Sequence, residues 1–245
     1  MKRIAFFLLC CCCLSLQAIT IEEANIAYQN GDFSEASALY EQLLEEGSAP
    51  ELYYNLGNAY YKQNEIGKSI LNYERALRLR PFYADAKYNL AIATERIVDK
   101  VEDTQNSFLI VWMNSLIHLM NSNAWAYVSI LCFVITAVCF LVFAFSRRLT
   151  LRKSAFHLAW IILLLCVLSG VFSAVSYHRF TSRSEAIVMQ GVATVKSSPD
   201  VSGTDLFILH EGIKVTIKDS LGKWDEIVLP NGHRGWIEHA MLERI

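Results

Sequence analysis

The sequence predicts a multi-domain membrane protein with three kinds of structure: an all-α helical repeat, a two-helix transmembrane hairpin and a small all-β domain. Three observations carry that prediction. Two uncharged apolar runs, 124–145 and 155–177, have 22 and 23 residues. A helix needs roughly 20 residues to cross about 30 Å of hydrocarbon, so each run can span. Residues 31–41 lie over 64–74 at an offset of 33, a period typical of stacked helical units. Beyond residue 185 the apolar pattern shortens to strand-like alternation broken by turn residues.

Composition agrees. The chain is 53% hydrophobic and 19% charged, and its net charge of −2 hides local differences. Residues 19–107 carry 15 Asp and Glu against 8 Lys and Arg, a net of −7. That excludes nucleic acid as a natural partner, because such binding rests on cations that neutralise phosphates. The seven cysteines fall at Cys10 to Cys13 in the N-terminal apolar stretch and at Cys132, Cys139 and Cys166 in the spans. Neither water-facing part has one, which excludes disulfides, thiolate zinc sites and a cysteine nucleophile there.

In chain order, residues 1–18 read as a signal peptide. Lys2 and Arg3 precede an apolar core, and Ala18 offers a cleavage site, an uncleaved anchor being the alternative. Export places the remainder outside the cytoplasm. The turn between the apolar runs, 146–154, votes the same way. It holds Arg147, Arg148, Arg152 and Lys153 and no acid, whereas 101–123 has no Lys or Arg. Cations stay on the cytoplasmic side, so the turn is inside and both larger parts are outside.

Residues 19–100 form the helical repeat domain. Gly31, Ala36 and Tyr40 of the first unit recur as Asn64, Ser69 and Tyr73 of the second, which also has Tyr53, Leu56, Gly57, Tyr60, Ala76 and Pro81. This resembles the tetratricopeptide repeat. Residues 82–100 read as a terminal capping helix. In that family the first helix of each unit lines an inner, protein-binding surface. The resemblance therefore puts Asn25, Tyr28, Tyr54, Asn58, Tyr61, Tyr88 and Ile92 there. Asparagines can pair with a peptide backbone, and tyrosines supply area with a polar tip. The cationic carboxylate clamp of some relatives is not expected, since Ile21, Asp85 and Asn89 stand at its positions.

Residues 101–123 comprise a polar linker and an amphipathic stretch, 108–121, too short to span; it lies in the interface or re-enters the membrane. After the spans comes a linker, 178–185. Residues 186–245 then predict five short strands in a small barrel, with a tight turn at Pro230-Asn231-Gly232. Val215, Ile217, Ile227, Leu229, Ile237 and Leu242 are the expected core. Ser197-Ser198-Pro199, Leu206-Phe207, Glu211-Gly212, Trp224, Ile227 and the run Asn231 to Ile237 resemble a bacterial SH3-like domain. Trp224 is out of phase with Ile227 and Leu229. It and Trp236 are the candidate groove residues.

No phosphate-binding glycine loop or HExxH pattern is present, and the six histidines are scattered. No catalytic residue, metal site or cofactor is expected, and the chain reads as a non-enzyme. The order of leader, tetratricopeptide repeats, two spans and SH3-like domain resembles the BatE family, named for bacterial aerotolerance operons. The resemblance implies a scaffold in the bacterial inner membrane with both soluble domains on the extracytoplasmic side. The implied partners are other membrane or periplasmic proteins, including Bat-type proteins with von Willebrand A-type domains. The alternatives are a peptidoglycan tether acting through the SH3-like domain and a regulatory subunit of a transporter.

Overall fold

A computed structural model describes residues 20–100, 108–117, 119–181 and 184–245. The leader at 1–18 and the polar linker at 101–107 lie outside the described residues. The chain divides into two compact units, residues 1–96 and 97–245.

The first unit is a stack of helices: α1 (Ile21–Asn30), α2 (Phe33–Glu46), α3 (Pro50–Lys62), α4 (Ile66–Leu79) and α5 (Ala84–Thr94). Thr20 opens α1 with a capping box: its side chain accepts from Glu23 N, and the Glu23 carboxylate accepts from Thr20 N. Pro50 starts α3 in the first turn, where its missing N–H costs nothing.

The 33-residue offset holds atom by atom at the turns. Gly31 and Asn64 both take left-handed backbone, at φ 89° and 68°. Gly31 N donates to Tyr28 O and Asn64 N to Tyr61 O; Asp32 N donates to Ala27 O and Glu65 N to Tyr60 O. The core packs buried Ala24, Ala36, Leu56, Ala59 and Tyr60 around Tyr40, with Ser69, Tyr73 and Ala76 equally buried in the second pair. Gly57 permits that closeness: a Cβ there would sit 2.7 Å from the Tyr73 ring. The Ser69 hydroxyl donates to Gly57 O at 2.9 Å, so its small polar group is satisfied where helices α3 and α4 touch.

In the second unit, α6 (Phe108–Ile117) is shorter than the expected stretch of 108–121. The Trp125 indole donates to Ile117 O at 3.1 Å and ties α6 to the helix that follows. Helices α7 (Ser122–Phe145) and α8 (Leu149–Thr181) are both long and apolar enough to span a membrane. Only 11% and 17% of their most apolar windows are buried, whereas the core helix of a soluble protein is mostly buried. The basic turn is tighter than 146–154: α8 already begins at Leu149, leaving three residues between the helices. Nothing in Leu149 to Ser154 opposes helix, since it lacks Gly and Pro.

Small residues, most of them polar, repeat every seven positions along the facing surfaces, Ser122, Ser129 and Thr136 on α7 against Ala159, Cys166 and Ser173 on α8. Ser122 Oγ donates to Ser173 O and Ser173 Oγ returns the bond to Ser122 O, at 3.1 and 3.0 Å. Ser129 Oγ donates to Cys166 O and Cys166 Sγ to Ser129 O, at 3.0 and 3.3 Å. Small hydrogen-bonding side chains let apolar helices approach and fix their register where no hydrophobic effect separates helix from lipid.

The C-terminal strands are β1 (Glu185–Val188), β2 (Ala193–Lys196), β3 (Asp205–Leu209), β4 (Lys214–Leu221), β5 (Trp224–Val228), β6 (Arg234–Glu238) and β7 (Leu242–Arg244). All pairs are antiparallel, in the order β3-β2-β6-β5-β4-β1-β7. This open sheet is consistent with an SH3-like domain. It has seven strands rather than five: 186–195 is two strands, and β3 adds another. Ala186, Val188, Val195, Val215, Ile227, Leu229 and Ile237 form the buried core. Leu242, expected inside, is only half-buried against it. Gly232, at φ 85°, makes the turn before β6, and its N–H donates to Leu229 O at 2.9 Å.

Candidate protein-binding site

The helical stack carries a groove of about 280 Å³ lined by Tyr28, Tyr54, Asn58, Tyr61, Lys62, Tyr73, Asn89 and Ile92. Five of the seven expected inner-surface residues meet there. Asn25 lies one unit earlier in a hydrogen-bond ladder. Tyr88 is 69% exposed and stands outside the groove lining.

The ladder is the structural logic of the site. Tyr40 Oη donates to Asn25 Oδ1 at 2.7 Å, and Tyr73 Oη donates to Asn58 Oδ1 at the same distance, one unit later. Each asparagine also accepts from the next first helix: Asn55 Nδ2 reaches Asn25 Oδ1 at 3.5 Å, and Asn89 Nδ2 reaches Asn58 Oδ1 at 2.8 Å. Asn89 Nδ2 further donates to Tyr54 Oη at 3.2 Å. The carbonyl side of Asn58 is thereby fully engaged. Its amide Nδ2 has no hydrogen-bond partner among the described residues, so the groove offers a fixed, oriented donor.

Burial raises the Tyr73 phenol to about 12 and pushes up Tyr40 and Tyr28, with neighbouring phenols adding to the effect. These tyrosines stay protonated donors throughout the physiological range. At the edge, the Arg96 guanidinium lies 5.3 Å over the Tyr61 ring and donates to Asn64 Oδ1. Gln63 Nε2 bridges to Phe33 O and Ser37 Oγ at 2.9 and 3.0 Å, locking the first pair of helices to the second.

Asn55, Lys62, Asn89 and Gln63 were not among the expected surface residues. The spacing held the signal for Asn55 and Asn89, since each lies one turn from an expected residue on the same helix face.

Residues 50–83 match the family model described as tetratricopeptide repeat. The matched stretch covers α3, α4 and the turn to α5, and so supplies Tyr54, Asn58, Tyr61, Lys62 and Tyr73 of the groove. Repeats of this kind are protein-interaction modules. No curated protein matches the chain.

The β domain offers less. Trp224 is 9% exposed and therefore buried, not open in a groove; Trp236 is half-buried. Next to Trp224 on β5, buried Asp225 accepts from Ser220 Oγ at 2.5 Å and pairs with His239 Nδ1 at 2.8 Å, with Arg244 at 3.8 Å. Ser, Asp and His do meet here, but the carboxylate stands between the other two. No imidazole nitrogen touches the serine oxygen, so the cluster places no base on a nucleophile. Among the described residues no group of three His, Cys, Asp or Glu side chains could hold a metal ion. The four turn cations, Arg147, Arg148, Arg152 and Lys153, are all exposed at one end of the helix pair.

Proposed function

We propose that this protein is a non-enzymatic, membrane-anchored scaffold that captures an extended segment of a partner protein in its tetratricopeptide groove. The observation that carries the reading is the ladder on Asn25 and Asn58. Its bonds hold the Asn58 amide rigid and facing the groove, where it can donate to a peptide carbonyl at little further entropic cost. The tyrosines provide apolar area with polar tips beside them.

In this reading α7 and α8 cross the bacterial inner membrane as a hairpin. The basic turn is cytoplasmic, and the repeats and the SH3-like domain are both extracytoplasmic. A contact supports the shared side. Asp99 precedes the first span and His210 follows the second, yet Asp99 Oδ2 accepts from His210 N at 2.7 Å while Oδ1 meets His210 Nδ1 at 2.9 Å. Ile97 packs on the β-domain core next to it. Both contacts need residues 97–99 and the β domain on one face of a membrane. The partners fitting this arrangement are other envelope proteins, and the module order favours a Bat-type complex concerned with stress tolerance. A peptidoglycan tether draws less support, because burial of Trp224 leaves Trp236 as the one candidate aromatic of the pair.

Photo-cross-linking in native membranes tests the reading. A photoreactive residue at Tyr61 or Ile92 is expected to yield a discrete adduct with a second protein, and one at Glu46 on α2 is not. Adducts of equal yield from all three positions, or none from the groove, would contradict it.

A further inference from the structure

We infer that the tip of the hairpin is a binding site for the phosphate-bearing headgroup of an anionic phospholipid. The inference rests on the reading of α7 and α8 as membrane spans.

The shortened turn concentrates charge. Arg147 and Arg148 lie between the helices, and Arg152 and Lys153 follow one turn into α8, all four exposed. Two crossing helices place this tip in the headgroup layer, where lipid phosphates sit. From Ala124 to Ser184 the chain has no Asp or Glu, so no internal carboxylate competes for these cations. Among the described residues none of the four has an ion pair.

The geometry adds direction. The Arg152 guanidinium lies 5.0 Å over the Phe143 ring, which fixes one cation across the helix pair while leaving its edge open to an anion. Ser146 Oγ accepts from Arg148 N at 3.4 Å, and Arg152 N donates to Arg148 O at 3.0 Å, so backbone bonds hold the turn and the first turn of α8. Arginine forks match phosphate oxygens bidentately. Phe156 and Trp160 continue the same end of α8, with ring centroids 6.4 Å apart, and are both exposed where acyl chains would begin. A phosphate held by cations above and hydrocarbon against aromatics below describes a phospholipid better than a free anion.

The test is native mass spectrometry of the purified full-length chain in a neutral detergent, where membrane orientation plays no part. Phosphatidylglycerol and phosphatidylcholine are added in equal amounts, with and without inorganic phosphate. The wild type is expected to retain phosphatidylglycerol over phosphatidylcholine by at least about fivefold, the worth of a single cation near an anionic lipid. The variant Arg147→Gln/Arg148→Gln/Arg152→Gln/Lys153→Gln is expected to bring the two lipids near parity. A control, Lys218→Gln/Lys223→Gln in the β domain, is expected to keep the preference. Equal retention by the wild type, a preference that survives the fourfold variant, or displacement by millimolar inorganic phosphate would overturn the inference. Alkaline carbonate extraction of native membranes reports on the underlying reading separately: release of the chain would refute the spans themselves, whatever lipid it binds.

Discussion

The helical repeat and the β domain are built on opposite principles. The repeat places polar groups along its helix seams, as Asn25 shows, and leaves Asn58 and Asn89 facing a groove. The β domain has an aliphatic core, and its one buried acid, Asp225, is consumed by Ser220 and His239. A polar network with donors left over can recognise a ligand, whereas one closed on itself specifies a fold. The difference is why the proposed binding is placed in the repeats and not in the β domain.

That contrast can be broken by substitution. Asp225→Ala should have the largest effect, destabilising the β domain by about 2 to 3 kcal/mol because Ser220 and His239 lose a charged partner. Pulse proteolysis of the full chain should show it confined to C-terminal fragments. Loss of less than about 0.5 kcal/mol would mean that the buried cluster is not structural.

Asn72→Leu should act the other way in the repeats. Asn72 is 3% exposed and its Oδ1 has no partner among the described residues, while the equivalent place in the first unit holds Leu39. Removing the unsatisfied acceptor should stabilise the repeat by about 1 kcal/mol.

Tyr73 gives a pH test that acts only in alkali. Burial raises its phenol to about 12 from an ordinary 10. A raised folded pKa means that its stabilising contribution is complete below about pH 10 and is lost as pH climbs through 12. Repeat stability should fall across that window, and Tyr73→Phe should flatten the fall. An unchanged slope in the variant would assign the alkaline loss to other groups.

Much of this architecture was legible in the sequence. The 33-residue offset located both helix pairs, because Gly31 and Asn64 must each supply a left-handed turn and Tyr40 and Tyr73 each fill the same gap. The apolar runs marked α7 and α8. Strand β3 was hidden because Leu206 and Ile208 are exposed on an edge strand, so burial imposes no alternation. Trp224 misled through phase: strand β5 buries Trp224 and Asp225 in succession, and simple alternation fails at its first residue. The clip between Asp99 and His210 joins residues 111 apart, a separation that leaves no local pattern. The ladder lay between these cases, since its tyrosines and asparagines were visible and only their pairing was not.

The central claim, that the groove and not the β domain engages the partner, is tested most directly by comparing two full-length variants. Ile92→Arg fills the groove with a charge and removes no hydrogen bond of the ladder; Trp236→Ala strips the half-buried aromatic from the β domain. Each is affinity-captured from native membranes and its co-purifying protein quantified against wild type. The account predicts that Ile92→Arg loses the partner by about tenfold or more, as expected for a central contact, and that Trp236→Ala retains it. Retention by Ile92→Arg with loss by Trp236→Ala would contradict the account.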